Sequence, residues 1–233
     1  MRFVAVLLAL SAAGPALAQA PTGAPGLQFS ARAEVGAVSF GRFLEQRVGV
    51  GERELQADPA VQVGGSVGVA VGPASVEAGV RVAPTGFRFR DDSGTGSDAL
   101  DADDAGGLTL TTGAVTLRTG LQGVSFGGVR PYALLGVEMA VWSADSDGSL
   151  GGSDDAQVRF GASTGGGLAV GAGRLGGFVE VAATALGNPF SGSDAFRAVT
   201  PVSGPFEGPD VETFDEPATV SVLGARVGLT VGL

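Results

Sequence analysis

The chain contains no cysteine, no histidine and no lysine; its fourteen basic residues are all arginine. Each absence removes a class of chemistry. Without cysteine there is no disulfide framework and no thiolate nucleophile. Without histidine, Ser–His and Asp–His catalytic arrangements are excluded. With 24 acidic residues against 14 basic ones, the formal charge is −10, no basic patch exists, and nucleic acid is not an expected partner. After the first twenty residues no apolar run is long enough for a transmembrane helix. No helical period appears, and the 41 glycines and 12 prolines argue against helices. The glycines follow no three-residue repeat, so they are not collagenous. Nor do they cradle a phosphate: Gly165-Gly166-Gly167 sits within a predicted strand and leads to no helix.

The N-terminus reads as a secretory signal. Arg2 supplies a positive start, Phe3 to Ala13 an apolar core, and Ala16-Leu17-Ala18 a small-x-small cleavage pattern. The expected cut follows Ala18, with a cut after Ala20 as the alternative. Residues 19–233 then form one exported domain. Lacking an apolar helix, such a chain enters a membrane only as a closed barrel, because lipid satisfies no backbone hydrogen bonds.

What the chain does have is alternation. Leu27, Phe29, Ala31, Ala33, Val35 and Ala37 point one way, while Gln28, Ser30, Arg32 and Glu34 point the other. The same period of two predicts eight strands, near residues 27–40, 61–71, 75–90, 108–121, 130–142, 158–171, 177–186 and 219–233. In the fourth, Leu108 and Leu110 fall out of phase with Val115, Leu117 and Leu121, which predicts a bulge around Gly113. The connections alternate. Polar segments of 41–60, 91–107, 143–157 and 188–218 follow the odd strands, and short ones such as Gly72-Pro73-Ala74 follow the even strands. An outer-membrane barrel has long external loops and short periplasmic turns. The expected fold is therefore all-β, an eight-stranded antiparallel up-and-down transmembrane β-barrel in the outer membrane. A soluble secreted β-sandwich or adhesin is the alternative.

The stretch Arg130-Pro131-Tyr132-Ala133-Leu134-Leu135-Gly136-Val137-Glu138 resembles the Pro-Tyr-x-x-x-Gly strand of small eight-stranded outer-membrane barrels, the family of the OmpA transmembrane domain and the opacity-type proteins. Phe160 to Gly167, Phe178 to Val181 and Val222 to Leu229 resemble its sixth, seventh and closing strands. That family usually ends in an aromatic residue, where this chain has Leu233. The resemblance implies contact with outer-membrane lipid, lipopolysaccharide and the barrel-insertion machinery. Enzymes on this fold, such as lipid A deacylases, outer-membrane phospholipases and omptin-type proteases, usually need histidine. None is present, so no enzymatic activity, no catalytic residue and no cofactor is expected.

Opposite the apolar faces lie Arg32, Glu34, Glu77, Arg81, Arg118, Glu138, Arg159, Glu180 and Arg226. An eight-stranded barrel has an interior only wide enough for side chains. Charges buried there must pair, so these residues are expected to form a plug of salt bridges. The rival is a narrow, passive, porin-like channel. Arg159 and Arg118, on the flanking strands, are the expected partners of Glu138. The loops are acidic. Asp101 and Asp103, and Asp145 and Asp147, partly match calcium-loop spacing but lack the twelve-residue pattern and its closing Glu. They are expected to be solvated, external and metal-free, and the place where an extracellular ligand would meet the protein.

Overall fold

The computed structural model describes residues 27–48, 51–91, 106–121, 128–144, 156–172, 174–192, 196 and 211–233. The expected signal segment and the acidic positions Asp98, Asp101, Asp103, Asp104, Asp145, Asp147, Asp154, Asp155 and Asp210 lie outside the described residues.

The strands are β1 (Leu27–Phe40), β2 (Leu44–Val48), β3 (Gly51–Ala57), β4 (Ala60–Val71), β5 (Ala74–Asp91), β6 (Gly106–Gly120), β7 (Val129–Ala144), β8 (Gln157–Ala172), β9 (Leu175–Gly187), β10 (Val211–Asp215) and β11 (Thr219–Gly232). Eight of them close a barrel. The antiparallel order runs β1–β4–β5–β6–β7–β8–β9–β11 and returns to β1. No edge is left in that ring, as lipid requires. Its strands coincide with the eight predicted ones to within a few residues. They close into one barrel, not into the two sheets of a sandwich.

Three strands lie in segments expected to be irregular. β3 pairs with the upper end of β5, from Arg53 opposite Asp91 to Ala57 opposite Phe87. β2 pairs with β3, and β10 with β2. They are the upward continuations of β4, β1 and β11, so part of the wall extends beyond the eight-strand ring. Pro59 explains the break between β3 and β4, since it has no N–H for the ladder. At the opposite end, β4 turns into β5 through Gly72, whose φ of +59° favours a residue without a Cβ.

The predicted bulge at Gly113 is absent. β6 keeps one register with β5 and with β7 throughout, Gly113 standing opposite Val80 and Met139. Leu108 and Leu110 are buried on the same inward face as Thr112, Thr116 and Arg118. The pattern changes because the lumen changes chemistry with height.

Candidate functional site in the barrel lumen

Outward positions are apolar around the ring. Val35, Val63, Val76, Val115, Leu117, Leu135, Val137, Phe160, Val179, Val227 and Leu229 are exposed, with Val137 at 63%. A soluble protein rarely exposes so continuous an apolar surface. On a closed barrel, this belt is the face that meets hydrocarbon.

Inward positions fall into two tiers. The lower tier is charged, and its residues form one unbroken alternation: Arg32, Glu77, Arg118, Glu180, Arg226, Glu34, Arg81, Glu138. Arg32 Nη1 lies 3.3 Å from Glu77 Oε2. Arg118 pairs with Glu77 and, at 2.9 Å, with Glu180. Arg226 pairs with Glu180 and reaches Glu34 at 3.6 Å. Arg81 reaches Glu34 at 3.3 Å and Glu138 at 3.6 Å. Every interior member thus has two neighbours of opposite sign, and four arginines balance four glutamates. Hydroxyls complete the carboxylates. Tyr132 donates to Glu180 at 2.9 Å, Ser66 and Ser75 to Glu77 at 3.2 and 3.3 Å, and Thr184 to Glu138 at 3.5 Å. Such bonds are charge-assisted, and in a low-dielectric interior they reinforce one another.

The space for these side chains comes from glycine. Arg81 faces Gly64 across β4, and Glu77 faces Gly68. A Cβ on Gly64 would sit 2.6 Å from Arg81 Cγ, and one on Gly68 2.5 Å from Glu77 Cγ. Glu34 stands between Gly64 and Gly228, and Glu180 opposite Gly167. The high glycine content is thus partly a packing device of the lumen.

The upper tier is an apolar core. Phe43, Leu55, Phe87, Leu108, Trp142, Leu186, Phe190, Val220 and Val222 are buried together. Phe43 packs edge-on against Phe87, Trp142 and Phe190, with ring centroids 4.9, 5.7 and 5.8 Å apart. Trp142 Nε1 is buried with no hydrogen-bond partner among the described residues. Asn188, which the sequence reading did not single out, holds this tier shut. Its amide donates to the carbonyls of Phe43 (2.6 Å) and Pro217 (2.8 Å), and its Oδ1 accepts from the Phe190 N–H (3.0 Å). The Asn-Pro pair at 188–189 was the available signal, being a turn initiator.

Arg159 does not join the charge network. Its Nε donates to the Asn188 carbonyl at 3.1 Å and its Nη2 to that of Ser191 at 3.2 Å. It sits opposite Ala140, at the apolar tier, too far up the wall to reach the carboxylates. It therefore fastens the chain leaving β9 over the core. Nor does Glu138 pair with Arg159 or Arg118; its partner is Arg81. Among the described residues no cluster of three or more potential metal ligands occurs.

The fold and lumen together define a closed eight-stranded barrel of outer-membrane type. No protein-family model and no curated protein matches the chain. Solved structures similar to it include three outer-membrane proteins. Ail, the attachment invasion locus protein of Yersinia pestis, is 11% identical, with 87% of this chain and 98% of Ail covered and a TM-score of 0.39. A major outer membrane protein of Thermus thermophilus is 18% identical, with coverage of 88% and 99% and a TM-score of 0.40. The outer membrane protease OmpT of Escherichia coli is 9% identical, with coverage of 92% and 99% and a TM-score of 0.40.

Proposed function

We propose that the chain is an integral outer-membrane β-barrel protein with a structural or surface-interaction role, a closed lumen and no enzymatic activity. The observation that carries this reading is the two-tier filling. An eight-membered Arg–Glu alternation occupies the lower lumen and an aromatic core the upper. A solute path would have to cross both. In this reading residues 1–18 direct export and are removed, and residues 19–233 are folded into the membrane by the insertion machinery. The belt meets lipid, lipopolysaccharide surrounds the upper rim, and an extracellular partner meets the acidic loops.

Two measurements test it. The protein should stay with the outer-membrane fraction after carbonate washing and change gel mobility on heating. Purified protein in planar bilayers should show no steady conductance. Release by carbonate would return the chain to the soluble class, and a stable conductance would make it a narrow channel.

A further inference from the structure

Below the charged tier, at the turn end, the lumen opens into a cavity of about 430 Å³. Its walls include Arg32, Arg130, Arg174, Gln28, Ser30 and Thr230, and among the described residues no acidic side chain lines it. In a chain of formal charge −10 that is unexpected.

The three arginines of this cavity, Arg32, Arg130 and Arg174, differ from the others in their pairing. Arg81, Arg118 and Arg226 are matched to glutamates, Arg42 to Glu45 and Glu54, Arg88 to Asp58, and Arg159 to carbonyls. Arg130 and Arg174 have no carboxylate partner among the described residues, and both line this one cavity. Arg130 shares the inward parity of Tyr132, and its Nη2 lies beside the inward face of Gly171, 3.9 Å from where a Cβ would be. Arg174 leans over Gly232, and its carbonyl accepts from the Gly232 N–H at 2.7 Å. Arg32 belongs to both the network and the cavity. Glu77 takes its Nη1 and Thr230 its Nε, and its guanidinium lies 4.0 Å above the Phe178 ring, fixed in orientation. Its Nη2 has no hydrogen-bond partner among the described residues.

We propose that this cavity is an anion site that takes a phosphate group, with Arg130 and Arg174 as movable arms and Arg32 as a fixed base. Planar guanidinium forks match tetrahedral oxyanions with paired, charge-assisted hydrogen bonds. Rings of arginine select anions and phosphates in other pores. Gln28, Ser30 and Thr230 add polar groups to the walls. The phosphate can come from a phospholipid headgroup at the rim or from a free phosphate anion in solution. The proposal goes beyond the closed-barrel reading. It rests on that reading only for the membrane that would supply a headgroup at the rim.

The test is titration of barrel refolded in dodecyl maltoside, in chloride buffer, with inorganic phosphate, following the arginine side-chain 15N–1H signals. A second arm uses nanodiscs of phosphatidylcholine with and without phosphatidylglycerol. Saturable shifts at Arg32, Arg130 and Arg174 with inorganic phosphate support a free anion. Shifts seen only with phosphatidylglycerol support a headgroup. The double variant R130Q/R174Q should bind about tenfold or more weakly, since two charge-assisted contacts are lost, and should keep its unfolding midpoint. No saturable shift in either arm overturns the site. So does an equal response to added chloride, or undiminished binding by the folded double variant. Because the detergent arm involves no membrane localisation, its failure is separable from failure of the closed-barrel proposal.

Discussion

The two tiers of the lumen solve one problem in opposite ways. Both are built from inward positions of the same strands, and both must fill a space too small for bulk water. On β7, Glu138 lies in the lower tier, and Ala140 and Trp142 lie in the upper. On β9, Glu180 is below and Leu186 above. Below, the fill is long charged side chains facing glycines, so specificity lies in who pairs with whom. Above, the fill is rings and aliphatic groups, so specificity lies in shape. The lower tier is wrapped by the outward apolar belt. The upper tier continues past the ring, where β2, β3 and β10 extend the wall, and there it is organised like the core of a water-soluble domain.

This contrast predicts different responses to truncation. Glu180 accepts from Arg118, Arg226 and Tyr132 in the middle of the alternation. Glu180→Ala takes the shorter-range carboxylate from Arg226, leaving it only Glu34 at 3.6 Å, and one of two carboxylates from Arg118. Two buried guanidinium groups are then under-compensated, and the barrel should lose about 3–5 kcal/mol, read by urea unfolding in detergent. Adding Arg226→Ala should recover part of that loss, because the second deletion removes the under-compensated charge while Glu34 keeps Arg81. The variant should still not conduct, since the aromatic tier remains above it. A steady conductance in Glu180→Ala would assign closure to the charges alone.

In the upper tier Phe43→Ala should cost a similar ~3–5 kcal/mol, through lost burial and a residual cavity. Here no partner deletion should rescue. Adding Trp142→Ala should deepen the loss, while Phe43→Leu should retain most of the stability by conserving volume. If a second truncation restores stability here as it does below, the two tiers are not physically distinct.

A smaller effect separates the inner and outer faces of the wall. Gly64→Ala places a methyl 2.6 Å from both Arg81 Cγ and the Val80 carbonyl oxygen. The side chain can swing away but the backbone cannot, so a loss of about 1–3 kcal/mol is expected. Gly113→Ala, on the opposite face, meets nothing closer than 3.9 Å. It should leave the urea midpoint unchanged. Equal losses at both sites would mean that lumen crowding does not explain the glycines.

The same contrast explains what could be read from the sequence. Eight strands were legible because the belt enforces a period of two on every membrane crossing. The inward charges were legible because the same alternation places them opposite the belt. The partners were not, because pairing across the lumen depends on shear and height. Glu138 meets Arg81 on β5, not an arginine on a flanking strand. Arg159 has inward parity, but parity carries no height, and its height puts it among carbonyls. Leu108 and Leu110 suggested a bulge because an inward apolar residue was read as an outward one. β2, β3 and β10 escaped notice because they lie beyond the belt. Leu44, Leu55 and Ala57 are buried there, but each run is too short and too interspersed with charge to show a period.

The smallest effect is expected where the wall leaves the eight-strand ring. Asp58 and Arg88 form an ion pair at the junction of β3 and β4, with side chains 37% and 56% exposed. The junction is also held by backbone groups: the Asp58 N–H donates to the Gly86 carbonyl at 2.8 Å, and Thr85 Oγ1 donates to the Asp58 carbonyl at 2.6 Å. An exposed pair contributes about 0–1 kcal/mol, because water screens it and two side chains lose freedom to form it. Arg88→Ala should therefore shift the urea midpoint within that range, and the shift should shrink further in high salt. Thr85→Val should cost more, because it leaves the Asp58 carbonyl without its hydroxyl partner at a half-buried site. If Arg88→Ala is instead the more damaging change, the extension is fastened by charge like the lower lumen, and the division between a charged tier within the belt and a soluble-type tier above it fails at this junction.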